Sequence, residues 1–529
     1  MASEKKQSFL GGAAVLAFGI AACKVIGAVF KIPLLNLLGE AGSADFSNAY
    51  NIYATLLLVS TAGLPVALSK MVSEANSLSR PASARQAFRV SLIAFLTLGI
   101  LSFALMWWGA DFLAGLLNNP RAAAGIRALA PAVVCVGCLS AFRGFAQGSF
   151  RMTPTAVSQI IESLFKLFLG LALAMLLLRA GYPEYIAAAG AITGVTVGTI
   201  VSLIYMTFDF LRHRTSIEQA SPLAPNGEVL KRLLAIAIPI TLSSSMVSVV
   251  TLIDTSLVQG QLQNALGLTL NESRQLYGNY SACMNLYNLP SSLMVALTAS
   301  VVPTLSAALA QKDTAKSSRI VGSSLRITAL LAFPMGFGLW SISEPIFALL
   351  YRSFDAELGG RLLATLSFAS IFTCLMLVTN SILQSYGRVN VPIFTMLLGG
   401  VVKIFLNYNL VAIPEINIEG SPIGTLTCFG LISVLNLIVV WRTEKSAPSI
   451  FSVFFKPLLA SALMAAAAKA VLFAAQNLLH LPSVICIALT VGVAVIVYAV
   501  LVISLRTLTK DDVMLLPKGE KVAKFLKIQ

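Results

Sequence analysis

The chain has 529 residues, of which 57% are hydrophobic and 11% charged; soluble globular proteins carry about 25% charged residues, so a multi-domain soluble enzyme is excluded and a polytopic membrane protein is expected. The net charge of +15 comes from 37 Lys and Arg against 22 Asp and Glu, and because these bases sit between apolar runs they read as membrane topology, not nucleic-acid binding. Seven cysteines, all within apolar runs, and two histidines at run ends provide neither a disulfide framework nor a metal-ligand set.

In chain order, MASEKKQSFLGG places Lys5 and Lys6 before an apolar run of nearly thirty residues. A signal peptide's apolar stretch is shorter, about 7–15 residues, so an uncleaved first span is expected. Apolar runs over 9–38, 46–75, 88–109, 124–149, 155–178 and 185–211 predict six membrane helices. The lone Cys135-x-x-Cys138 lies in the fourth and reads as small core residues. The polar stretch RHRTSIEQASPLAPNGEVLKR (212–232) follows. Runs over 229–258, 276–310, 320–341, 361–385, 391–411 and 419–441 predict six more helices, and 451–478 and 481–505 two last ones. The tail 513–529 is basic with apolar positions, and is expected either on the inner leaflet or loosely ordered.

The expected fold is therefore an all-α polytopic membrane protein of fourteen transmembrane helices. With the N-terminus in the cytoplasm, 26 basic residues fall on the cytoplasmic side and six outside. One miscounted span would destroy that asymmetry, so both termini are predicted to be cytoplasmic.

Shifted by 237 residues, the chain matches itself at telling places. Asn48, Tyr50 and Asn51 fall on Asn285, Tyr287 and Asn288; Gln147, Arg151 and Lys166 fall on Gln384, Arg388 and Lys403. Two copies of a six-helix unit are expected: an N-lobe over 1–217 (helices 1–6) and a C-lobe over 218–445 (helices 7–12). An even span number gives both copies the same orientation, as in parallel-repeat transporters. Helices 13 and 14 and the basic cytoplasmic tail, 446–529, form an appendix.

Ionisable groups inside spans cost roughly 2.5–3.5 kcal/mol each on insertion scales and are retained where they meet a partner or water. They are Lys24 and Lys31 on the first span, Glu162 and Lys166 on the fifth, Asp254 on the seventh, Lys403 on the eleventh and Lys469 on the thirteenth. Lys24 and Lys31, seven apart, share a helix face. Glu162 and Lys166 stand at i,i+4 in the favourable order for a salt bridge, and Glu162 and Asp254 are the candidate coupling groups. Five bases against two acids predict a cavity that attracts anions, hence a substrate carrying phosphate or carboxylate held by Lys24, Lys31, Lys166 and Lys403. The elements Asn48, Tyr50, Asn51 and Asn285, Tyr287, Asn288 read either as helix–helix hydrogen-bond contacts or as an outer gate. Pro33, Pro65, Pro239 and Pro303 read as hinges or as static kinks. No phosphate-cradling loop, zinc-protease motif or ATPase domain is present, so no enzyme activity, cofactor or metal is predicted and transport is not powered by ATP hydrolysis on this chain.

STAGLPVALSKMVSE (Ser60 to Glu74), RGFAQGSFRMTPTAVSQIIESLFKL (Arg143 to Leu167) and CKVIGAVFKIPLLNLLGE (Cys23 to Glu40) resemble signatures of the stage V sporulation protein B group. These are polysaccharide-biosynthesis proteins of the multidrug/oligosaccharidyl-lipid/polysaccharide exporter superfamily, with the lipid II flippases as relatives. The resemblance implies a two-lobed flippase in the bacterial plasma membrane, working by alternating access on a lipid-linked, pyrophosphate-bearing saccharide, with membrane lipids and cell-wall synthesis enzymes as further partners. It implies a cationic cavity with basic residues on the first span, where Lys24 and Lys31 stand, and admits Asp254 as a sodium ligand. Two other readings are kept: an ion-coupled exporter of small molecules, and a non-transporting scaffold for envelope assembly.

Overall fold

A computed structural model describes residues 9–61, 63–213, 223–444, 450–505 and 507. Among them the chain is helical throughout, with no strand. Lipid demands this, because each backbone N–H and C=O must be satisfied inside its own segment. The tail 513–529 and residues 214–222 of the polar joint lie outside the described residues.

The first helix, α1 (Phe9–Thr61), is two helices joined across a break at Gly39, whose φ of 67° is open to glycine. The expected first span is the half before this break. The expected second span, 46–75, is also in two pieces, the rest of α1 and α2 (Leu64–Ser77). Between them the Gly63 N–H donates to Thr241 Oγ1 at 3.1 Å. A Cβ at Gly63 would stand 2.0 Å from the Ala237 carbonyl oxygen, so only glycine lets that backbone pass.

Next come α3 (Pro81–Trp108), the short α4 (Ala110–Leu116), α5 (Ala123–Gly148), α6 (Thr153–Arg179) and α7 (Glu184–Arg212). Prolines at the first positions of α2, α3 and α6 start those helices where the missing N–H costs nothing. The α6–α7 contact is a seam of small residues: a Cβ at Gly194 would lie 2.5 Å from the Gly170 nitrogen, and one at Gly198 would lie 2.9 Å from the Glu162 carbonyl oxygen. Without a hydrophobic force between helices in lipid, such close backbone approach supplies the packing energy.

Two long helices follow, α8 (Asn226–Asn264) and α9 (Leu270–Ala310). Thr269 and Glu272 cap α9 reciprocally: the Thr269 N–H donates to Glu272 Oε2 at 2.8 Å, and the Glu272 N–H donates to Thr269 Oγ1 at 3.3 Å. The Thr269 hydroxyl, donating to Glu272 Oε2 at 2.8 Å, and the Thr269 N–H hold the Glu272 carboxyl below its ordinary value. Then come α10 (Thr314–Ser341), capped by Asp313, the short α11 (Ser343–Leu350), α12 (Ala356–Ser385), capped by Asp355, α13 (Asn390–Leu410) and α14 (Gly420–Thr443). The last are α15 (Ile450–Phe473), continued by a π-helical turn over Ala474–Leu478, and α16 (Ser483–Ser504).

The order predicted by the repeat recurs, including a feature the hydropathy did not show. A short helix follows α3 and again α10, so the order long, short and three long helices of α3 to α7 recurs in α10 to α14. Among the described residues eleven helices are long and apolar enough to cross a membrane, with α1 counted once. Fourteen spans follow if α1 is divided at Gly39 and α8 and α9 are counted; that number stands as a proposal.

By packing, the chain falls into two units, Met1–Gly278 and Asn279–Gln529, so the division lies inside α9. The core of the first includes Phe30, Leu34 and Phe46 of α1, Ile126 and Leu129 of α5 and Ile192 of α7. That of the second includes Met294 and Leu305 of α9, Leu325 of α10, Cys374 and Ile382 of α12 and Val453 of α15. Helix α8 packs with the first unit. The proposed repeat boundary at 217/218 follows sequence similarity, and the packing boundary follows contact.

Candidate functional site

In the first unit the break at Gly39 folds the two halves of α1 against α6. Lys24 is exposed on the first half and Lys31 half-buried one face-repeat further on. The ammonium groups of Lys31 and Lys166 lie near enough to act on each other's charge. Lys166 Nζ sits 5.2 Å from the centre of the Phe30 ring and 4.7 Å from that of Tyr50. Each ring face offers a cation on the order of 0.5–2 kcal/mol, so the two rings aim this lysine without neutralising it.

The expected Glu162–Lys166 salt bridge is not formed. Glu162 Oε2 accepts instead from Arg143 Nη2 at 3.1 Å, and Arg143 Nε donates to Ser158 Oγ at 2.9 Å. The i,i+4 spacing allowed a pair along α6, but Arg143 reaches across from α5 with a planar fork that bonds serine and carboxylate together. Arg143 thus engages the Glu162 carboxylate, and Lys166 is left to the rings.

In the second unit, Lys403 is 8% exposed and Tyr287 2%. Lys403 is close enough to Tyr287 to act on its phenol, whose oxygen lies 2.5 Å from Thr373 Oγ1. Lys166 with Tyr50 and Lys403 with Tyr287 are repeat mates, so each unit holds the same lysine beside the same tyrosine.

The Asn elements behave differently in the two copies. Asn48 Nδ2 donates to Gln259 Oε1 at 3.1 Å and Asn51 Nδ2 to Thr255 Oγ1 at 3.3 Å, which ties α1 to α8. Asn285 Nδ2 and Asn288 Nδ2 donate to the carbonyls of Ser281 and Met284, on their own helix. Asp254 is buried on α8 beside Thr255, and among the described residues no three His, Cys, Asp or Glu side chains converge. Lys469 Nζ lies 3.5 Å from the centre of the Trp340 ring.

One strong feature escaped the sequence. Asp45 and Arg274 form a fully buried pair at 2% and 1% side-chain exposure. Arg274 Nε donates to Asp45 Oδ1 at 2.9 Å, its Nη2 bonds Oδ2, and Asn119 Nδ2 adds a bond of 2.9 Å to Oδ1. The sequence signal for this pair is slight: both charges adjoin apolar runs rather than polar loops.

The lysines carry positive charge onto helix faces where the neighbouring carboxylate is already engaged. Such ammonium groups act as point donors to phosphate or carboxylate oxygens.

Stage V sporulation protein B of Bacillus subtilis is 24% identical over 97% of this chain and 98% of that protein. Lipid II flippase MurJ of the same organism is 24% identical over 77% of this chain and 78% of its own. The solved structure of lipid II flippase MurJ in an inward closed conformation superposes with a TM-score of 0.68 at 13% identity, over 92% of this chain and 98% of that one, which establishes the fold. The MatE family matches residues 239–409. The family described as Polysaccharide biosynthesis protein matches residues 9–309, more than half the chain, and this multi-pass membrane protein belongs to it.

Proposed function

We propose that this protein is a flippase, not an enzyme, that carries a lipid-linked, pyrophosphate-bearing saccharide across the bacterial plasma membrane by alternating access. The carrying observation is the convergence of Lys31 and Lys166, with no carboxylate among the described residues salt-bridged to Lys166 and with Glu162 held by Arg143. Two ammonium groups repel each other, and an anion bridging them removes that cost. Lys24 extends the cationic track along α1, and Lys403 beside Tyr287 is the second unit's counterpart. With both termini cytoplasmic, export of an anion from a negative interior is downhill by roughly 2.3 kcal/mol per charge per 100 mV.

The test is reconstituted flipping of a fluorescent undecaprenyl-pyrophosphate-linked saccharide, together with rescue of a cell depleted of its lipid II flippase. Lys24→Ala and Lys31→Ala are each expected to abolish translocation with expression unchanged. Normal flipping in both refutes the cationic site. A second reading, an ion-coupled exporter of small molecules, is favoured by the burial of Asp254 within the segment that matches the MatE family. In that case Glu162→Gln and Asp254→Asn remove drug resistance, whereas the flippase reading leaves such an assay flat.

A further inference from the structure

In the second unit, α11, the π-helical turn that continues α15 and the first turn of α16 enclose a cavity of about 540 Å³. Its frame is fixed by packing. A Cβ at Gly359 would lie 2.1 Å from the Phe347 ring, and one at Gly360 would lie 2.8 Å from the Glu344 Cα, so the glycine pair in the first turn of α12 lets α11 seat directly on that backbone. Leu349 of the lining packs against a buried cluster of Ile342, Leu472, Ala475, Cys486 and Ile487. Gln476 lines the cavity from the π-helical turn, a geometry that recurs at functional sites, and Ser483 and Val484 line it from α16. The lining holds one carboxylate, Glu344, and one guanidinium, Arg352. Both side chains are exposed, and neither joins an ion pair or hydrogen bond among the described residues. At 1.5 Å per residue their backbones stand on the order of 12 Å apart along α11, so both charges border the cavity without pairing. The nearest residues in sequence outside those described, 445–449 and 506, adjoin the opposite ends of α15 and α16.

The candidate spans α10 and α12 flank α11 in the chain, and α15 ends and α16 begins at the cavity, so it lies at the level where spans leave the hydrocarbon. Val484 in its wall, and Leu478 and Leu479 beside Gln476 in the chain, are exposed apolar side chains of the kind that lipid covers. An anion would satisfy Arg352 and be repelled by Glu344, a cation would do the reverse, and an uncharged sugar would leave both charges unanswered. A molecule that carries an ammonium and a phosphate answers both, and at a lipid-facing wall that molecule is a zwitterionic phospholipid. The lining selects among these. Among the described residues no aromatic ring borders the cavity, so a quaternary ammonium finds no ring face to hold it, and it has no N–H to give Glu344. A primary ammonium donates hydrogen bonds to a carboxylate. The volume lies within the span of small-ligand pockets, roughly 300–1,000 Å³. We propose that this cavity binds the head group of phosphatidylethanolamine, with its ammonium on Glu344, its phosphate on Arg352, Gln476 and Ser483, and its glycerol against Leu349 and Val484. The site shares no residue with the lysine set and does not depend on what the protein carries.

The test is native mass spectrometry of the delipidated full chain, titrated with phosphatidylethanolamine, phosphatidylcholine, phosphatidylglycerol and soluble phosphoethanolamine. Wild type is expected to bind phosphatidylethanolamine about tenfold more tightly than either other lipid, the worth of one charge-assisted hydrogen bond, and to keep it against phosphoethanolamine at matched concentration. Glu344→Gln and Arg352→Gln change exposed side chains and separate the two contacts. Glu344→Gln is expected to weaken phosphatidylethanolamine about tenfold and to strengthen phosphatidylglycerol, because it removes an acceptor from one and a repulsion from the other. Arg352→Gln is expected to weaken both. Equal binding of phosphatidylethanolamine and phosphatidylcholine by wild type overturns the proposal, and so does an unchanged phosphatidylethanolamine affinity in both variants. A uniform shift for all three lipids in both variants overturns it too, since it would give these side chains a structural role only. Displacement by phosphoethanolamine at matched concentration would mark a site for a soluble zwitterion and likewise overturn it.

Discussion

The buried pair of Asp45 and Arg274 invites a quantitative test. Replacing Arg274 by Met leaves the Asp45 carboxylate buried at 2% exposure with one donor, Asn119. Breaking one side of such a pair typically costs about 3–5 kcal/mol. The orphaned carboxyl limits that cost by taking up a proton. From a reference pKa of about 3.9, at about 1.36 kcal/mol per unit, this costs about 4 kcal/mol at pH 7 and about 1.5 kcal/mol at pH 5. The variant's folded state would bind a proton that its unfolded state releases, so it loses stability as pH rises and regains it as pH falls. Arg274→Met is therefore expected to be less stable than wild type by about 4 kcal/mol at pH 7 and to recover about 2.5 kcal/mol of that at pH 5. Asp45→Leu/Arg274→Met, which removes both charges, is expected to lie near wild type at either pH. Denaturant unfolding of the purified chain in detergent at the two pH values measures each term. An equal deficit at pH 5 and pH 7, or a double variant as unstable as the single, refutes the reasoning.

Tyr50→Leu removes one ring from under Lys166 and is expected to lower head-group affinity about five- to thirtyfold, corresponding to roughly 1–2 kcal/mol, while Tyr50→Phe keeps most of it; equal effects of Leu and Phe in an equilibrium binding titration would show that the ring does not aim the lysine. Gly63→Ala must displace the α8 backbone, since its Cβ would stand 2.0 Å from the Ala237 oxygen, and is expected to cost on the order of 3 kcal/mol. Gly115→Ala, whose Cβ meets nothing within 4 Å, is its neutral control in a thermal melt. Glu162→Gln keeps an acceptor for Arg143 and is expected to retain flipping within about threefold, because the carboxylate positions Arg143 and carries no coupling proton; complete loss in the reconstituted assay would transfer Glu162 to the coupling role.

The lysines and their repeat mates are legible in the linear sequence, and so is the anion-attracting balance of five intramembrane bases against two acids. The choice of partners is not. Glu162 has a lysine one turn away on its own helix, yet it bonds an arginine 19 residues distant. Arg274 and Asp45 are separated by 229 residues, and no spacing in the sequence links them. The matched Asn elements cannot be assigned to contact or gate from sequence; in the structure Asn48 and Asn51 donate to α8, while Asn285 and Asn288 donate to carbonyls of their own helix and Tyr287 meets Thr373 of α12.

The number and order of apolar segments, the doubled architecture and the excess of intramembrane amines are properties of the linear pattern. Each span must satisfy its own backbone in lipid, so each leaves a signature that needs no knowledge of its neighbours. Which side chains face one another was decided only by tertiary packing. The break at Gly39, the close passage at Gly63 and the glycine seam of α6 and α7 set the helix faces in contact. A charged group buried there bonds whichever donor or acceptor that packing brings within about 3 Å, whatever its distance along the chain.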